Sequence, residues 1–79
     1  MPVIFRFEGF KFFFYSNEGD PREPIHVHVL KGGDKAKFWL NPVVLAANAG
    51  FDARTLRELA NIVESNALRI ERAWNEHFG

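Results

Sequence analysis

Short apolar runs interrupted by glycine dominate the first half of the chain. The four runs with strand-like composition are Val3–Phe7, Phe10–Ser16, Ile25–Lys31 and Asp34–Leu40. Glu8-Gly9 separates the first two runs, and Gly32-Gly33 separates the last two. Because glycine tolerates the positive φ of tight hairpin turns, this arrangement predicts two β-hairpins. The segment between the hairpins holds Gly19, Pro21 and Pro24 among charged residues, which predicts a loop.

Side chains alternate between the two faces of a strand, so each turn predicts which residues share a face. The expected pairs of the first hairpin are Phe7 with Phe10, Phe5 with Phe12 and Val3 with Phe14. The second hairpin should add Ile25, Val27, Val29, Ala36, Phe38 and Leu40 to the same apolar face. The opposite face should carry Ile4, Arg6, Lys11, Phe13, Tyr15, His26, His28, Lys35, Lys37 and Trp39. On that face we expect His28 opposite Lys37 and His26 opposite Trp39.

The second half of the chain changes to helical spacing. Val43–Asn48, after Asn41-Pro42, is compatible with a strand or a short helix, and its β-branched start favours the strand. Asp52 is the expected N-cap of a helix whose apolar positions recur at helical spacing as far as Phe78. One unbroken helix would be about 39 Å long, too long for so small a sheet. We therefore expect a break near Ser65-Asn66.

These elements predict one α+β domain over residues 1–79, strand-rich over 1–49 and helical over 52–78. Its sheet should be an antiparallel meander of four to five strands, with two C-terminal helices, or one kinked helix, packed on one face. The 79 residues include no cysteine, so no disulfide can stabilise the fold. Nine Phe, two Trp and one Tyr must supply the packing instead.

Charge and hydropathy narrow the function classes only slightly. Ten basic and ten acidic residues balance, so the net charge gives no argument for nucleic acid or for an anionic membrane. Arg6, Glu8 and Lys11 interrupt any apolar leader, and no apolar run has the length of a membrane span. We expect a cytoplasmic protein without a membrane partner.

The helices should cover the apolar face of the sheet and leave the histidine-bearing face open to solvent or a ligand. The candidate contact residues on that face are Arg6, Lys11, Phe13, Tyr15, His26, His28, Lys37 and Trp39. Cations contact phosphates, aromatic rings stack on bases, and histidine titrates near neutral pH, so such a face suits RNA. The alternative is an ordinary solvated face or a protein contact, because outer faces of antiparallel sheets are commonly polar.

Histidines two apart on a strand project the same way and can share a metal ion. His26 and His28 are therefore candidate metal ligands and candidate catalytic residues. A third ligand is not evident, and the nearest carboxylates are Glu18, Asp20 and Glu23 in the preceding loop. No motif requires a cofactor, and none is expected.

The segment Pro24-Ile25-His26-Val27-His28-Val29 resembles a small prokaryotic family catalogued as domain of unknown function 4160. The opening Met1-Pro2-Val3-Ile4, the run ending Phe14-Tyr15-Ser16 and the helical end with Trp74 extend the resemblance over nearly the whole chain. It implies a component of a toxin–antitoxin-like two-gene module, with a protein partner encoded in the same operon. It carries no established catalytic residues.

Three hypotheses follow from these residues and from the resemblance, which alone implies the module in the first of them. The first is a module component that contacts RNA or a partner protein through the face bearing His26 and His28. The second is a metal-dependent hydrolase or RNase-like enzyme centred on the same two histidines. The third is a structural dimerisation domain, in which Trp39 lies in a homodimer contact.

Overall fold

A computed structural model describes residues 2–17 and 23–79. Its strands are β1 (Val3–Phe7), β2 (Phe10–Phe13), β3 (His26–Lys31), β4 (Asp34–Trp39) and β5 (Val44–Ala49), and its helices are α1 (Ala53–Ser65) and α2 (Ala67–Phe78). The strands form one antiparallel sheet in the order β1-β2-β3-β4-β5. This confirms the predicted α+β fold, with a five-stranded meander followed by two helices.

The first hairpin follows the predicted turn but not the whole predicted register. Glu8 and Gly9 both have positive φ, at 49° and 85°, as a two-residue hairpin turn requires. Phe5 opposes Phe12 as expected. The predicted pairing of Val3 with Phe14 is wrong, because an irregularity between Val3 and Phe5 brings Val3 opposite Phe13. Such a shift breaks strict alternation, which is the only basis on which the sequence could assign the pair.

The apolar face of the sheet and the helices share one core. Its buried members are Phe5, Phe12, Phe14, Val27, Val29, Ala36, Phe38, Leu40, Phe51, Leu59, Val63, Ile70 and Trp74. Helix α1 contributes Leu59 and Val63, and helix α2 contributes Ile70 and Trp74. Because the helical residues recur at helical spacing, their burial confirms that both helices lie against the same sheet face.

Two polar residues determine where the helices begin and where they break. The Asp52 carboxylate accepts a hydrogen bond from the Thr55 backbone N–H at 2.8 Å, the expected N-cap of α1. Asn66 has φ −111° and ψ 17°, and its side-chain amide donates to the Ile62 carbonyl at 2.8 Å. This side chain competes for a helical carbonyl, so the break expected near Ser65-Asn66 is confirmed.

Residues 44–49 form a strand, as their β-branched start favoured, and this strand lies at one edge of the sheet. Lys37 pairs with Ala47 and Phe38 with Leu45, so Ala46 is the extra residue of a bulge. Near the end of the strand, the side chain of Asn48 exchanges two hydrogen bonds with the backbone of Phe51, at 3.0 and 3.2 Å. The side-chain amide of Asn48 is therefore engaged in holding the turn into α1.

Candidate functional site

The second hairpin places the two histidines where strand parity predicts them. His28 lies opposite Lys37, and His26 lies opposite Trp39. Phe13 of β2 lies on the other side of His28 in the same face of the sheet. The face that carries these residues is called the histidine face below.

His26 is fully buried, although we expected it on an open face. Its Nδ1 lies 2.9 Å from the carbonyl oxygen of Pro24, and its ring centroid lies 5.5 Å from that of Trp39 and 5.0 Å from that of Trp74. The ladder between β2 and β3 ends at the pair of Phe13 with His28, so His26 lies beyond it. There the indole of Trp74 reaches from α2 to the imidazole. Because it is buried, His26 contributes to packing and is not accessible to a ligand.

His28 is half-buried and is surrounded by aromatic rings. Its ring stacks on Phe13 at 5.5 Å and meets Tyr15 at 4.6 Å and His26 at 5.1 Å, as centroid distances. Phe13, which we expected at the surface, is only 2% exposed. The rings of Tyr15, His28, His26 and Trp74 thus form a continuous path across the molecule. Tyr15 is its exposed end, with 39% of its surface accessible.

A groove of about 340 Å³ lies beside His28 on the histidine face. Its lining residues are Tyr15, His28, Lys35, Ala36, Lys37, Ala47, Asn48 and Ala49. Ala49 opposes Lys35 and Ala47 opposes Lys37, so the small side chains of β5 leave space beside the two lysines. The groove therefore combines two cations, an imidazole and a phenol over three adjacent strands.

Lys37 is held by two neighbours at the border of this groove. Its ammonium nitrogen lies 4.4 Å from the ring centroid of Trp39 and 3.5 Å from Oε1 of Glu23. The two paired side chains are 23% and 40% exposed. A pair with this much exposure is weak, because solvent screens the attraction.

Comparison with known proteins adds a family to this geometry. The family model described as domain of unknown function (DUF4160) matches residues 9–75. The chain belongs to this family. The match runs from the first hairpin turn into α2 and so includes both histidines and every residue of the groove. Comparison with curated proteins and with solved structures gives no match.

The DUF4160 chain brings together only part of the predicted contact surface. Tyr15, His28 and Lys37 line the groove, whereas Arg6 and Lys11 oppose each other on β1 and β2 and do not line it. The Lys11 ammonium instead lies 5.2 Å from the ring centroid of Phe13. The ring of Trp39 contacts the Lys37 ammonium but does not line the groove.

Sequence reasoning did not name five residues of the groove as contacts, which are Lys35, Ala36, Ala47, Asn48 and Ala49. Lys35 shares the face of Lys37 by parity, so two lysines at alternate positions were a usable signal. No sequence signal indicated Ala47 and Ala49, because their position depends on the bulge that sets the register of β5.

Metal binding has limited support in the part of the DUF4160 chain that the structure describes. Residues 2–17 and 23–79 contain no group of three or more His, Cys, Asp or Glu that could hold an ion. Glu23 is paired with Lys37. The other two loop carboxylates, Glu18 and Asp20, lie outside the described residues.

Within the described residues, neither helix combines the length and the hydropathy needed to cross a membrane.

Proposed function

We propose that this DUF4160 protein binds single-stranded RNA along the groove between Tyr15, His28, Lys35 and Lys37. The observation that supports the proposal is the convergence of two lysines and two polar-tipped rings on one groove. Phosphate contacts by lysine supply most of the affinity in such sites, and ring stacking supplies the preference for unpaired bases.

The two lysines have a spacing suited to an extended polyanion. Lys35 and Lys37 are alternate residues of β4, so their Cα atoms are about 6.8 Å apart along the strand. Their side chains leave the same face and are flexible, so neighbouring phosphates of one nucleic-acid strand can each meet one ammonium group. A strand of RNA that follows β4 would place its bases towards Tyr15 and His28.

The rings at the groove favour an unpaired base over a duplex. Tyr15 is an exposed aromatic residue whose ring makes a T-shaped contact with the half-buried imidazole of His28. Stacking of one base on an aromatic side chain contributes about 1–3 kcal/mol, and it is tolerant of base identity. Asn48, the amide at the groove, is engaged with Phe51 and so is poorly placed to read base edges. We therefore propose binding with little sequence preference.

A titration with a labelled single-stranded RNA at several salt concentrations tests the proposal. Lys35→Ala should weaken binding and reduce the slope of log affinity against log salt by about 0.7, the value for one phosphate contact on a single strand. Arg57→Ala, which removes one exposed cation from α1, is the matched control and should leave the slope unchanged. Absence of binding, or equal slopes for Lys35→Ala and the intact protein, would refute the RNA proposal.

We extend the proposal to a role in a toxin–antitoxin-like two-gene module, which the family resemblance alone supports. Expression in a bacterial host should slow growth, and His28→Ala should relieve the effect while Arg57→Ala should not. Normal growth with the intact protein, together with no effect of co-expressing the adjacent gene, would count against the module.

A further inference from the structure

Glu23 brings a carboxylate to one of the two cations that the proposed RNA site uses. Its Oε1 lies 3.5 Å from the ammonium nitrogen of Lys37, on the segment that leads into β3. The ring of Trp39 lies 4.4 Å from the same nitrogen and supports it from another side. Lys37 is the less exposed member of the ion pair, at 23% against 40% for Glu23. The carboxylate is therefore the more accessible, and more easily moved, of the two groups.

We infer that Glu23 occupies the place of a phosphate and that RNA must displace its carboxylate to reach Lys37. A phosphate within hydrogen-bond distance of the ammonium would lie a few ångströms from the carboxylate, and like charges so close repel each other. Trp39 would keep Lys37 in position while the anions exchange. Glu23 thus determines how much affinity the groove has for a polyanion. The inference rests on the proposed RNA-binding function.

The exchange has a signature in the salt dependence. A phosphate that binds a lysine releases its condensed counterions, which gives a slope of about 0.7 for each contact on a single strand. When the phosphate displaces a carboxylate, the freed carboxylate recruits a cation from solution and offsets that release. In the intact protein, Lys37 should therefore add little to the slope of log affinity against log salt. Once Glu23 is neutral, Lys37 should add the full value of about 0.7 for one phosphate contact.

The test compares Glu23→Gln with Glu58→Gln in RNA titrations at several salt concentrations. Glu58 is a matched control, because it also forms an exposed ion pair at 3.5 Å, with Arg54 on α1 away from the groove. Both variants remove one negative charge with little change in shape. Glu23→Gln should tighten binding about threefold to fivefold, the range of an exposed ion pair, and steepen the slope by up to about 0.7. Glu58→Gln should do neither.

Measuring the RNA affinity and its salt slope for the same variants in a Lys37→Ala background completes the test. Glu23→Gln should have no effect there, because the cation for which carboxylate and phosphate compete is absent. Equal gains for Glu23→Gln and Glu58→Gln, or a gain that persists without Lys37, would overturn the inference. RNA binding that depends on Lys35 but not on Glu23 would overturn it and leave the proposed function standing. Failure of every variant to bind RNA would overturn both. Far-UV circular dichroism of each variant verifies that it is folded.

Discussion

The imidazole of His26 packs against the indole of Trp74 with ring centroids 5.0 Å apart and ring planes 63° apart. His26 is the first residue of β3, and Trp74 belongs to α2. Both are buried, and the polar edge of His26 is matched by the Pro24 carbonyl. The contact joins the histidine face to the helical layer, so the two histidines of the strand have different environments.

Alanine at the two histidines should separate packing from binding. His26→Ala removes a fully buried ring and should lower the free energy of unfolding by about 2–4 kcal/mol, the range for large-to-small core changes. His28→Ala, at a half-buried position, should cost less stability but weaken RNA binding. Urea unfolding at neutral pH measures the first effect and RNA titration the second. A larger stability loss for His28→Ala than for His26→Ala would contradict this division.

Trp74 should be among the most sensitive positions of the helices. Its indole contacts Phe14 at 5.1 Å and Phe78 at 4.3 Å in addition to His26, as centroid distances. Trp74→Ala should lower the free energy of unfolding by about 3–5 kcal/mol, and Trp74→Phe by less. Leu68→Ala is the control on the same helix, because Leu68 is 75% exposed, and it should change stability by no more than about 0.5 kcal/mol. Similar losses for the alanine variants at 68 and 74 would show that the indole is not central to packing.

Gly50 and Gly33 should respond differently to alanine. Gly50 has φ +110°, and a Cβ atom there would overlap the carboxylate of Asp34, whereas a Cβ at Gly33 meets nothing within 4 Å. Backbone strain alone should therefore make Gly50→Ala lower the unfolding free energy by about 1–3 kcal/mol, and the overlap with Asp34 should add to that loss. Gly33→Ala should be nearly neutral. Thermal unfolding of the pair measures the difference, and equal melting temperatures would argue against the turn geometry at Gly50.

Asp52 should make the stability depend on pH in the acid range. Hydrogen bonds from the Thr55 side chain and backbone N–H, with a smaller contribution from Arg54 and Arg57, lower the pKa of Asp52 below its ordinary value of 3.8. A carboxyl whose pKa is lower in the folded state stabilises the protein above its unfolded pKa. That contribution is lost as the pH falls through the lower folded value.

Asp52→Asn isolates this effect, because an asparagine oxygen can still accept the hydrogen bond from Thr55 but does not titrate. At about pH 6 the intact protein should be the more stable of the two, and the difference should shrink as the pH falls below 3.8 and through the lower folded pKa of Asp52. Chemical unfolding of both proteins across this range provides the measurement. A difference that is constant with pH would mean that the Asp52 charge does not contribute.

Local sequence rules account for most of the fold and for part of the candidate site. Gly32-Gly33 and the period of two place His28 opposite Lys37, and the structure has that pair. Helical spacing and the caps Asp52 and Asn66 account for α1 and α2 in the same way. These features follow from neighbouring residues, so a single sequence is sufficient to predict them.

Burial and the shape of the groove depended instead on residues far apart in the chain. Parity put His26 on the histidine face, but only the approach of Trp74 made it a packed side chain rather than a contact residue. The space beside the lysines depends on Ala47 and Ala49, which a bulge in β5 brings opposite them. The sequence by itself determined the strands, the helices and the face of most side chains, because hydrogen-bond periodicity is local. The predicted face was wrong at the irregular start of β1, where Ile4 packs against the core. Tertiary structure decided which of those side chains a ligand can reach, because accessibility depends on what other elements pack against them.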